Sequence, residues 1–286
     1  MRVLVAGASG AIGREVVALL RARGDTVRAL VHRRRPAGAL GEGVELRAAD
    51  ATRPEALRGV CEGVDAVVSC LGAPVAMSLG ARASYLAVDA PANAALLDEA
   101  LRANASRFIY VSLHVEPAYA HTAYVRAHEL VVDRLRRADT LTGTVIRPTG
   151  LYSAMADFLG LARRGFAPLV GDGQARTNPV HERDVAAACV EALGGGPGDV
   201  ELGGPEVLTR RQIVELAFAA LGKRPRLVRL SPWLMRTMGT LLWPLQPRLG
   251  ELMHFFAAVA ATSALAPAHG SMRLSEYFAE RVAARS

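Results

Sequence analysis

Tyr124 and His128, in the sequence YVRAH, are the side chains whose types and spacing most directly suggest proton transfer. A spacing of four residues places both on one face of a helix. A tyrosine hydroxyl, with a pKa of about 10, can donate a proton to a reacting oxygen. An imidazole with a pKa of about 6.5 is protonated in roughly a quarter of molecules at pH 7, and burial lowers that fraction.

A glycine-rich turn near the start of the sequence has the form that binds a pyrophosphate. The segment GASGAIG holds Gly7, Gly10 and Gly13 between an apolar strand pattern and an amphipathic helix pattern. Gly7 permits a tight turn, Gly10 lets the backbone approach phosphate, and Gly13 lets the helix pack closely on the sheet. The helix N-terminus adds unpaired N–H groups and a positive dipole. We expect a dinucleotide site here, with an ordinary glycine-rich turn as the alternative.

The residues about twenty positions after this turn indicate which dinucleotide would bind. The sequence reads His32, Arg33, Arg34, Arg35, with no acidic side chain to bind a ribose diol. Arginine instead makes charge-assisted contacts with a 2′-phosphate, so NADP is expected rather than NAD, unless this is only a solvated basic loop. Asp50, after the third strand, could accept from the adenine amino group or cap the next helix.

Short β-branched runs alternate with helical patterns along the first two hundred residues. The predicted strands are Val3–Ala6, Val27–Val31, Val44–Arg47, Ala66–Ser69, Phe108–Ser112, Gly143–Arg147 and Val200–Leu202. The predicted helices are Arg14–Arg23, Pro54–Cys61, Ala90–Ala103, Tyr124–Arg137, Asp184–Leu193 and Arg210–Leu221. This alternation predicts an α/β fold, a Rossmann-like doubly wound parallel sheet covered by helices on both faces.

After about residue 150 the alternation loosens, which predicts a smaller, mainly helical C-terminal lobe. We expect residues 1–150 to form the NAD(P)-binding core, with a return to it at about 178–203, and residues 151–286 to form a discontinuous substrate lobe. Residues 231–268 are apolar and rich in Trp, Met and Phe, but prolines and charges interrupt them, so a membrane span is not expected. They could close over the site, form a subunit interface, or contact a membrane surface.

Several single residues have predicted structural roles in these elements. Thr209 could cap the helix that begins at Arg210, and His181 with Asp184 could shape a loop and cap the helix after it. Arg147 is expected to anchor the segment before Pro148.

The composition limits the size of the core, the expected partners and the expected location of the protein. The 286 residues are 51% apolar, enough for a large core, and the net charge is +7. The basic residues are spread along the chain, so nucleic acid is not an expected partner. Cys61, Cys70 and Cys189 form no metal-type pair, so we expect no metal site and no disulfide framework. With no apparent leader sequence, a reducing cytoplasm is the expected location.

Taken together, these motifs resemble the short-chain dehydrogenase/reductase superfamily. The resemblance is closest to its atypical, extended branch, which includes NmrA-like proteins and the NADPH-binding accessory subunit of respiratory complex I. It covers roughly residues 1–205 and is specific for the superfamily but not for a substrate. The segments that carry it are GASGAIG at 7–13, AAD at 48–50, SCLGA at 69–73, RFIYVS at 107–112, YVRAH at 124–128, VIRPTGLY at 145–152 and GDGQARTNPVHERDVA at 171–186.

The resemblance implies catalytic roles for three residues. Ser112 takes the place of the serine that polarises a carbonyl, Tyr124 that of the proton donor, and His128 that of a lysine that holds the nicotinamide ribose. The chain has a single lysine, Lys223, but its bias is toward arginine and does not explain a histidine. Each of the three residues could instead have a purely structural role. Ser112 could be a hydroxyl at a strand end, Tyr124 a core tyrosine, and His128 a helix histidine that forms only a structural hydrogen bond.

The resemblance also places Leu71 and Gly72 near the adenosine, and Pro148 and Thr149 near the nicotinamide. The complete set of expected cofactor-binding residues is Gly7, Ser9, Gly10, Ala11, Ile12, Gly13, His32, Arg33, Arg34, Asp50, Ala51, Leu71, Gly72, Pro148 and Thr149.

Three functions fit the sequence. The first is an NADP(H)-dependent reductase that acts on a carbonyl or conjugated double bond of an apolar small molecule. The second is a non-catalytic NADP(H)-binding sensor or assembly protein, with a partner protein or membrane surface at the apolar C-terminal lobe. The third is an epimerase or dehydratase of the same fold. A monomer or a homodimer fits each of them.

Overall fold

Parallel strands and flanking helices dominate the architecture. The computed structural model describes residues 1–32, 40–73, 75, 83–196 and 198–284. The strands are β1 (Arg2–Ala6), β2 (Thr26–Val31), β3 (Glu45–Ala48), β4 (Ala66–Ser69), β5 (Arg107–Val111), β6 (Thr142–Pro148), β7 (Ala167–Val170), β8 (Arg176–Thr177), β9 (Asp199–Leu202), β10 (Leu208–Thr209) and β11 (Leu227–Leu230). The helices are α1 (Ala11–Ala22), α2 (Tyr85–Arg102), α3 (Ala123–Arg136), α4 (Tyr152–Met155), α5 (Asp157–Arg164), α6 (Glu182–Ala192), α7 (Arg210–Ala219), α8 (Pro232–Leu242), α9 (Pro247–Ala260) and α10 (Leu274–Ala283).

Seven strands form one parallel sheet in the order β3-β2-β1-β4-β5-β6-β9. The strand order reverses between β1 and β4. Val3 of β1 pairs with Val27 of β2 on one side and with Ala66 of β4 on the other. In doubly wound sheets, ligands bind in the crevice at such a reversal, beyond the carboxyl ends of the strands. The predicted α/β fold class and doubly wound parallel sheet are therefore confirmed.

The sheet is buried on both faces, as its apolar strands predict. Successive β1 side chains point to opposite faces: Leu4 and Ala6 join the core packed under α2 and α3, while Val3 and Val5 join the core under α1 and α6. Leu252 of α9 also belongs to the first core, so a helix of the C-terminal region is anchored against the sheet domain.

Two predicted helices have different bounds in the structure. Instead of a helix over Pro54–Cys61 there is only a short 3-10 helix at Pro54–Leu57, because the chain turns to positive φ at Gly59. The helix predicted to start at Ala90 begins at Tyr85, where Ser84 accepts a hydrogen bond from Leu86 N–H. Burial of Tyr85 and this cap outweigh the cost of Pro91 inside the helix.

The C-terminal region packs around its own aromatic cluster, with Tyr152, Phe218 and Phe278 fully buried among α4, α5, α7 and α10. The predicted cap at Thr209 is confirmed, because its side chain and that of Gln212 form a capping box. Two short strand pairs, β7 with β11 and β8 with β10, were not predicted. Within the described ranges, no helix is both long and apolar enough to cross a membrane.

The contact between α1 and the glycine turn gives a prediction about stability. A Cβ at Gly13 would lie 2.3 Å from the Gly7 carbonyl oxygen, so Gly13→Ala should destabilise the protein by roughly 2 kcal/mol or more. Gly160, exposed inside α5 with open space around its Cβ position, is the matched control. Gly160→Ala should stabilise by about 0.5–1 kcal/mol. Urea unfolding of both variants measures this, and equal effects would contradict the predicted contact.

Candidate active site

The glycine turn has the geometry of a phosphate cradle. Gly7 adopts φ +74°, and a Cβ there would lie 2.6 Å from the Cys70 carbonyl oxygen at the end of β4. Gly10 N–H donates to Gly7 C=O at 2.8 Å and caps α1 without a side-chain hydrogen bond. No acidic residue lies in the first turn of α1.

The cradle leaves donors for a ligand. The first-turn amides of Ala11, Ile12 and Gly13 have no intrahelical acceptor, and no protein side chain caps them. Ser9 lies in the same turn, where its carbonyl accepts from the Arg14 guanidinium at 2.9 Å. A pyrophosphate fits this surface, since it needs close backbone approach and free N–H groups. The residues present therefore fit a dinucleotide cofactor.

The region where the cofactor's adenosine ribose is expected is only partly described. Arg33 and Arg34, predicted to bind the 2′-phosphate, lie outside the described residues. Asp50 Oδ1 accepts from both the N–H and the hydroxyl of Thr52, which lowers the pKa of Asp50. Its Oδ2 lies 3.9 Å from His32 Nε2. Asp50 thus closes a turn that contains Ala51, and the 3-10 helix that follows has no side-chain cap.

Helix α2 holds the loop after β4, which contains Leu71 and Gly72. The Asn93 amide donates to Leu71 C=O at 3.2 Å, and Asn93 Oδ1 accepts from the Ser69 hydroxyl at 2.6 Å. Asp89, one turn earlier, accepts from Ala73 N–H at 3.1 Å. The sequence analysis missed both α2 residues, although an Asp and an Asn four residues apart in an apolar helix are a detectable signal.

Asp89 is also the most unusual carboxyl group of the site. It is buried, its Oδ2 has no hydrogen-bond partner, and burial raises its pKa to about 6. It lies one helical turn after Tyr85, whose ring contacts that of Tyr124. Buried, perturbed carboxyl groups of this kind concentrate at functional sites.

His128 lies beside Tyr124 but is held as a neutral imidazole. The two rings, both on α3, have centroids 5.0 Å apart. His128 Nδ1 is hydrogen-bonded to the Tyr110 hydroxyl of β5 at 2.8 Å, and its Nε2 is buried without a partner. Burial, with a smaller contribution from the Arg147 charge, lowers the pKa of His128 to about 4. A lysine at this place would bring a positive charge that this histidine does not.

Tyr124 lies in an aromatic cluster. Its ring contacts Tyr85 of α2 and Phe255 of α9, each with centroids 4.9 Å apart. Burial raises the pKa of Tyr124, so the hydroxyl remains protonated at neutral pH. Arg248 of α9 lies 4.6 Å above the Tyr85 ring, and Glu251 accepts from Tyr85 N–H at 3.0 Å. Helix α9 therefore covers the predicted proton donor.

Ser112 and the end of β6 complete the carboxyl edge of the sheet. Ser112 N–H donates to Ile146 C=O, but its hydroxyl is buried without a hydrogen-bond partner. It comes directly after β5, two residues beyond Tyr110, whose hydroxyl is hydrogen-bonded to His128 of α3. The Thr149 hydroxyl donates to Asn178 C=O at 2.6 Å, and Pro148 C=O accepts from His114 N–H.

Two smaller predictions are confirmed around this edge. Arg147 is buried and pairs with Glu129 at 2.7 Å and Asp199 at 3.2 Å, so it anchors the segment before Pro148. The His181 side chain accepts from Arg183 N–H and caps α6, as predicted, whereas Asp184 lies in the first turn of that helix and is not its cap. Among the described residues, no group of three His, Cys, Asp or Glu side chains is placed to hold a metal ion.

Known proteins, among them an NAD(P)H-binding family, resemble this chain in sequence. A family model described as NAD(P)H-binding matches residues 7–194. A mitochondrial NADH dehydrogenase [ubiquinone] 1 alpha subcomplex subunit 9 of Arabidopsis thaliana is 33% identical over 40% of this chain, which spans only 29% of that relative's length. A 3-diazoavenalumate denitrifying reductase of Streptomyces is 33% identical over 68% of this chain and 72% of its own.

Solved structures share the fold at low sequence identity. The Bordetella bronchiseptica enzyme WbmH, in complex with NAD+, has a TM-score of 0.74 and 17% identity, over 99% of this chain and 97% of its own. The NADPH-dependent quinone oxidoreductase QOR2 of Escherichia coli, complexed with NADPH, has a TM-score of 0.70 and 17% identity, over 98% and 99%. The fold thus accommodates either coenzyme.

The opposite pKa shifts of Asp89 and His128 predict opposite pH dependences of stability. Folded Asp89 binds a proton more tightly than unfolded Asp89, so its contribution to stability falls as pH rises from about 4 to 6. Folded His128 binds a proton less tightly than unfolded His128, so its contribution rises from about pH 4 to 6.5. Each change should be on the order of 2 kcal/mol.

Denaturant unfolding between about pH 4 and 7 tests both signs. The stability of Asp89→Asn relative to wild type should increase with pH, and that of His128→Gln should decrease. Slopes of the same sign for the two variants would contradict the described burial of these groups.

Proposed function

The chain belongs to the NAD(P)H-binding family, and from that premise we propose that it is an NADP(H)-dependent oxidoreductase. Its proposed reaction is reduction of a carbonyl or conjugated double bond in an apolar small molecule. The unpartnered Ser112 hydroxyl is the observation that carries this proposal. A buried hydroxyl without a partner is costly, and a substrate oxygen would satisfy it.

The proposed proton chemistry uses neutral groups. Ser112 would donate a hydrogen bond to the substrate oxygen, and Tyr124 would donate the proton that this oxygen gains. When bound, the reduced nicotinamide coenzyme supplies the hydride that the substrate carbon gains. If the Tyr110 hydroxyl donates to Nδ1 of His128, then His128 Nε2 carries the proton and is free to donate to a ribose hydroxyl.

The surroundings of Tyr124 support an apolar substrate. Tyr85, Phe255 and Phe256 form an aromatic cluster with Tyr124 on this side of the site. Ligand pockets of this composition select apolar molecules and orient them by one or two polar contacts. All three cysteines are free thiols, which supports a reducing compartment such as the cytoplasm for this activity.

A non-catalytic NADP(H) binder is the second candidate, and the state of His128 favours it. A neutral imidazole does not lower the pKa of Tyr124 as a lysine would. The two candidates are separated by His128→Lys. If the wild type is only a binder, it should reduce no carbonyl substrate, and His128→Lys should introduce this activity. If the wild type is a reductase, it should already reduce carbonyl substrates without the substitution.

The proposed preference for NADP rests on Arg33 and Arg34. Fluorescence titration should show NADPH binding at least tenfold tighter than NADH, because a 2′-phosphate gains charge-assisted hydrogen bonds. Substitution of both residues by Ala should remove that preference. Arg58→Ala, which alters another exposed arginine, should leave it unchanged. Equal affinities of wild type for the two coenzymes would refute the preference.

Ser112→Ala should separate activity from stability. Because the hydroxyl has no protein partner, its removal should leave the melting temperature unchanged or higher. Turnover of apolar ketones, quinones and enones with NADPH should fall about a hundredfold with unchanged NADPH affinity. Ser106→Ala is the control at the other end of β5, where the hydroxyl donates to Asp65 C=O, and should lower stability without lowering turnover. Absence of wild-type turnover across this panel, with NADPH bound, would favour the binder.

A further inference from the structure

Nearly all of the net charge of the chain arises from one segment. Residues 216–250 contain no Asp or Glu, but they contain six basic residues, against a net charge of +7 for the whole protein. Five of the six are exposed: Lys223, Arg224, Arg226, Arg229 and Arg236. Arg248, the sixth, is buried against Tyr85 and belongs to the site already described.

The exposed arginines of this segment are not neutralised within the protein. Arg224, Arg226, Arg229 and Arg236 form no ion pair with any described residue. The Lys223 ammonium donates to the Arg163 carbonyl at 2.7 Å rather than to a carboxylate. Unpaired positive charge concentrated in one segment attracts an anionic partner.

The same segment carries the most exposed large apolar side chains of the described residues. On α8, Trp233 and Leu241 are 66% and 72% exposed, and Leu234 and Met238 are also exposed. Just after α8, Leu245 is 73% exposed, beside an exposed Trp243. A group of exposed large apolar side chains within one segment often marks an interaction site.

The outward orientation of this apolar surface is fixed by packing. The opposite side of α8 is buried against α9 through Met235 and Gly239. A Cβ at Gly250 would lie 2.6 Å from the Gly239 carbonyl oxygen, so the two helix backbones are in direct contact. Rotation of α8 would break this contact, so its tryptophan and leucine side chains remain directed outward.

We propose that this region docks on the surface of an anionic lipid bilayer. The docking surface comprises the apolar side chains Trp233, Leu234, Met238, Leu241, Trp243 and Leu245 with the basic strip Arg224, Arg226, Arg229 and Arg236. Helix α8 lies in the plane of the interface, its leucines enter the acyl boundary, and its tryptophans lie at headgroup depth. The arginines bind lipid phosphates.

The combination of side chains favours lipid over the other possible occupants. A nucleic acid would use the arginines but would leave the leucine side chains in contact with water or phosphate. A second copy of the same surface would place two unpaired basic strips against each other. An anionic bilayer offers negative charge and an apolar phase side by side, which matches both parts of this surface. Docking on a bilayer does not depend on the proposed reductase activity.

The protein carries its own probe for this test, because its only two tryptophans lie on the docking surface. Tryptophan emission of the full chain should shift to the blue on addition of phosphatidylglycerol-containing vesicles, and brominated lipids should quench it. Vesicles of phosphatidylcholine alone should cause little change, and salt should weaken the effect. Each of Arg226→Ala and Arg229→Ala should lower the partition coefficient roughly fivefold.

Matched variants on another helix control for general effects of charge and apolarity. Leu241→Ser should weaken vesicle binding. Leu130→Ser, on the exposed side of α3, and Arg137→Ala, just after that helix, should not. Emission that is unchanged by anionic vesicles overturns the proposal. So does a blue shift that grows with protein concentration in the absence of lipid, which would show self-association. Binding to duplex DNA without quenching by brominated lipids would assign the arginines to nucleic acid and likewise overturn it.

Discussion

The absence of a side chain at Gly13 is the constraint on which the cofactor end of the molecule depends. It lets α1 approach the Gly7 carbonyl to a distance that a methyl group would prevent. The same turn brings Gly7 against the end of β4, so the first helix and two central strands meet at the reversal of strand order. The uncapped amides of α1 and the loop that follows β4 therefore open into one crevice.

Burial disfavours the charged forms of three titratable side chains at this site, Tyr124, His128 and Asp89. Burial keeps His128 and Tyr124 neutral and favours the protonated form of Asp89 as the pH falls toward 6. Arg147, at the end of β6, pairs with Glu129 and Asp199, and Arg248 of α9 lies over the Tyr85 ring. Proton movement here would thus run between neutral donors and acceptors, where hydrogen bonds are strong because water is excluded.

The sequence predicted the sheet well because parallel strands buried on both faces leave a strong apolar pattern, as in β1 and β4. The glycine turn was also predictable, because each of its glycines stands where a side chain would clash or would block a phosphate. The sequence could not predict the contacts of Tyr110 with His128 or of Phe255 with Tyr124, because these join elements distant in the chain. The start of α2 was predicted too late, because the burial of Tyr85 at its first position depends on tertiary packing.

Helix α9 contacts both α8 and the aromatic cluster around Tyr124. One of its sides meets α8 through the contact between Gly239 and Gly250, and Phe255 on the same helix covers Tyr124. Because Gly250 and Phe255 lie on the same helix, the placement of α9 sets both where α8 rests and how closely Tyr124 is covered.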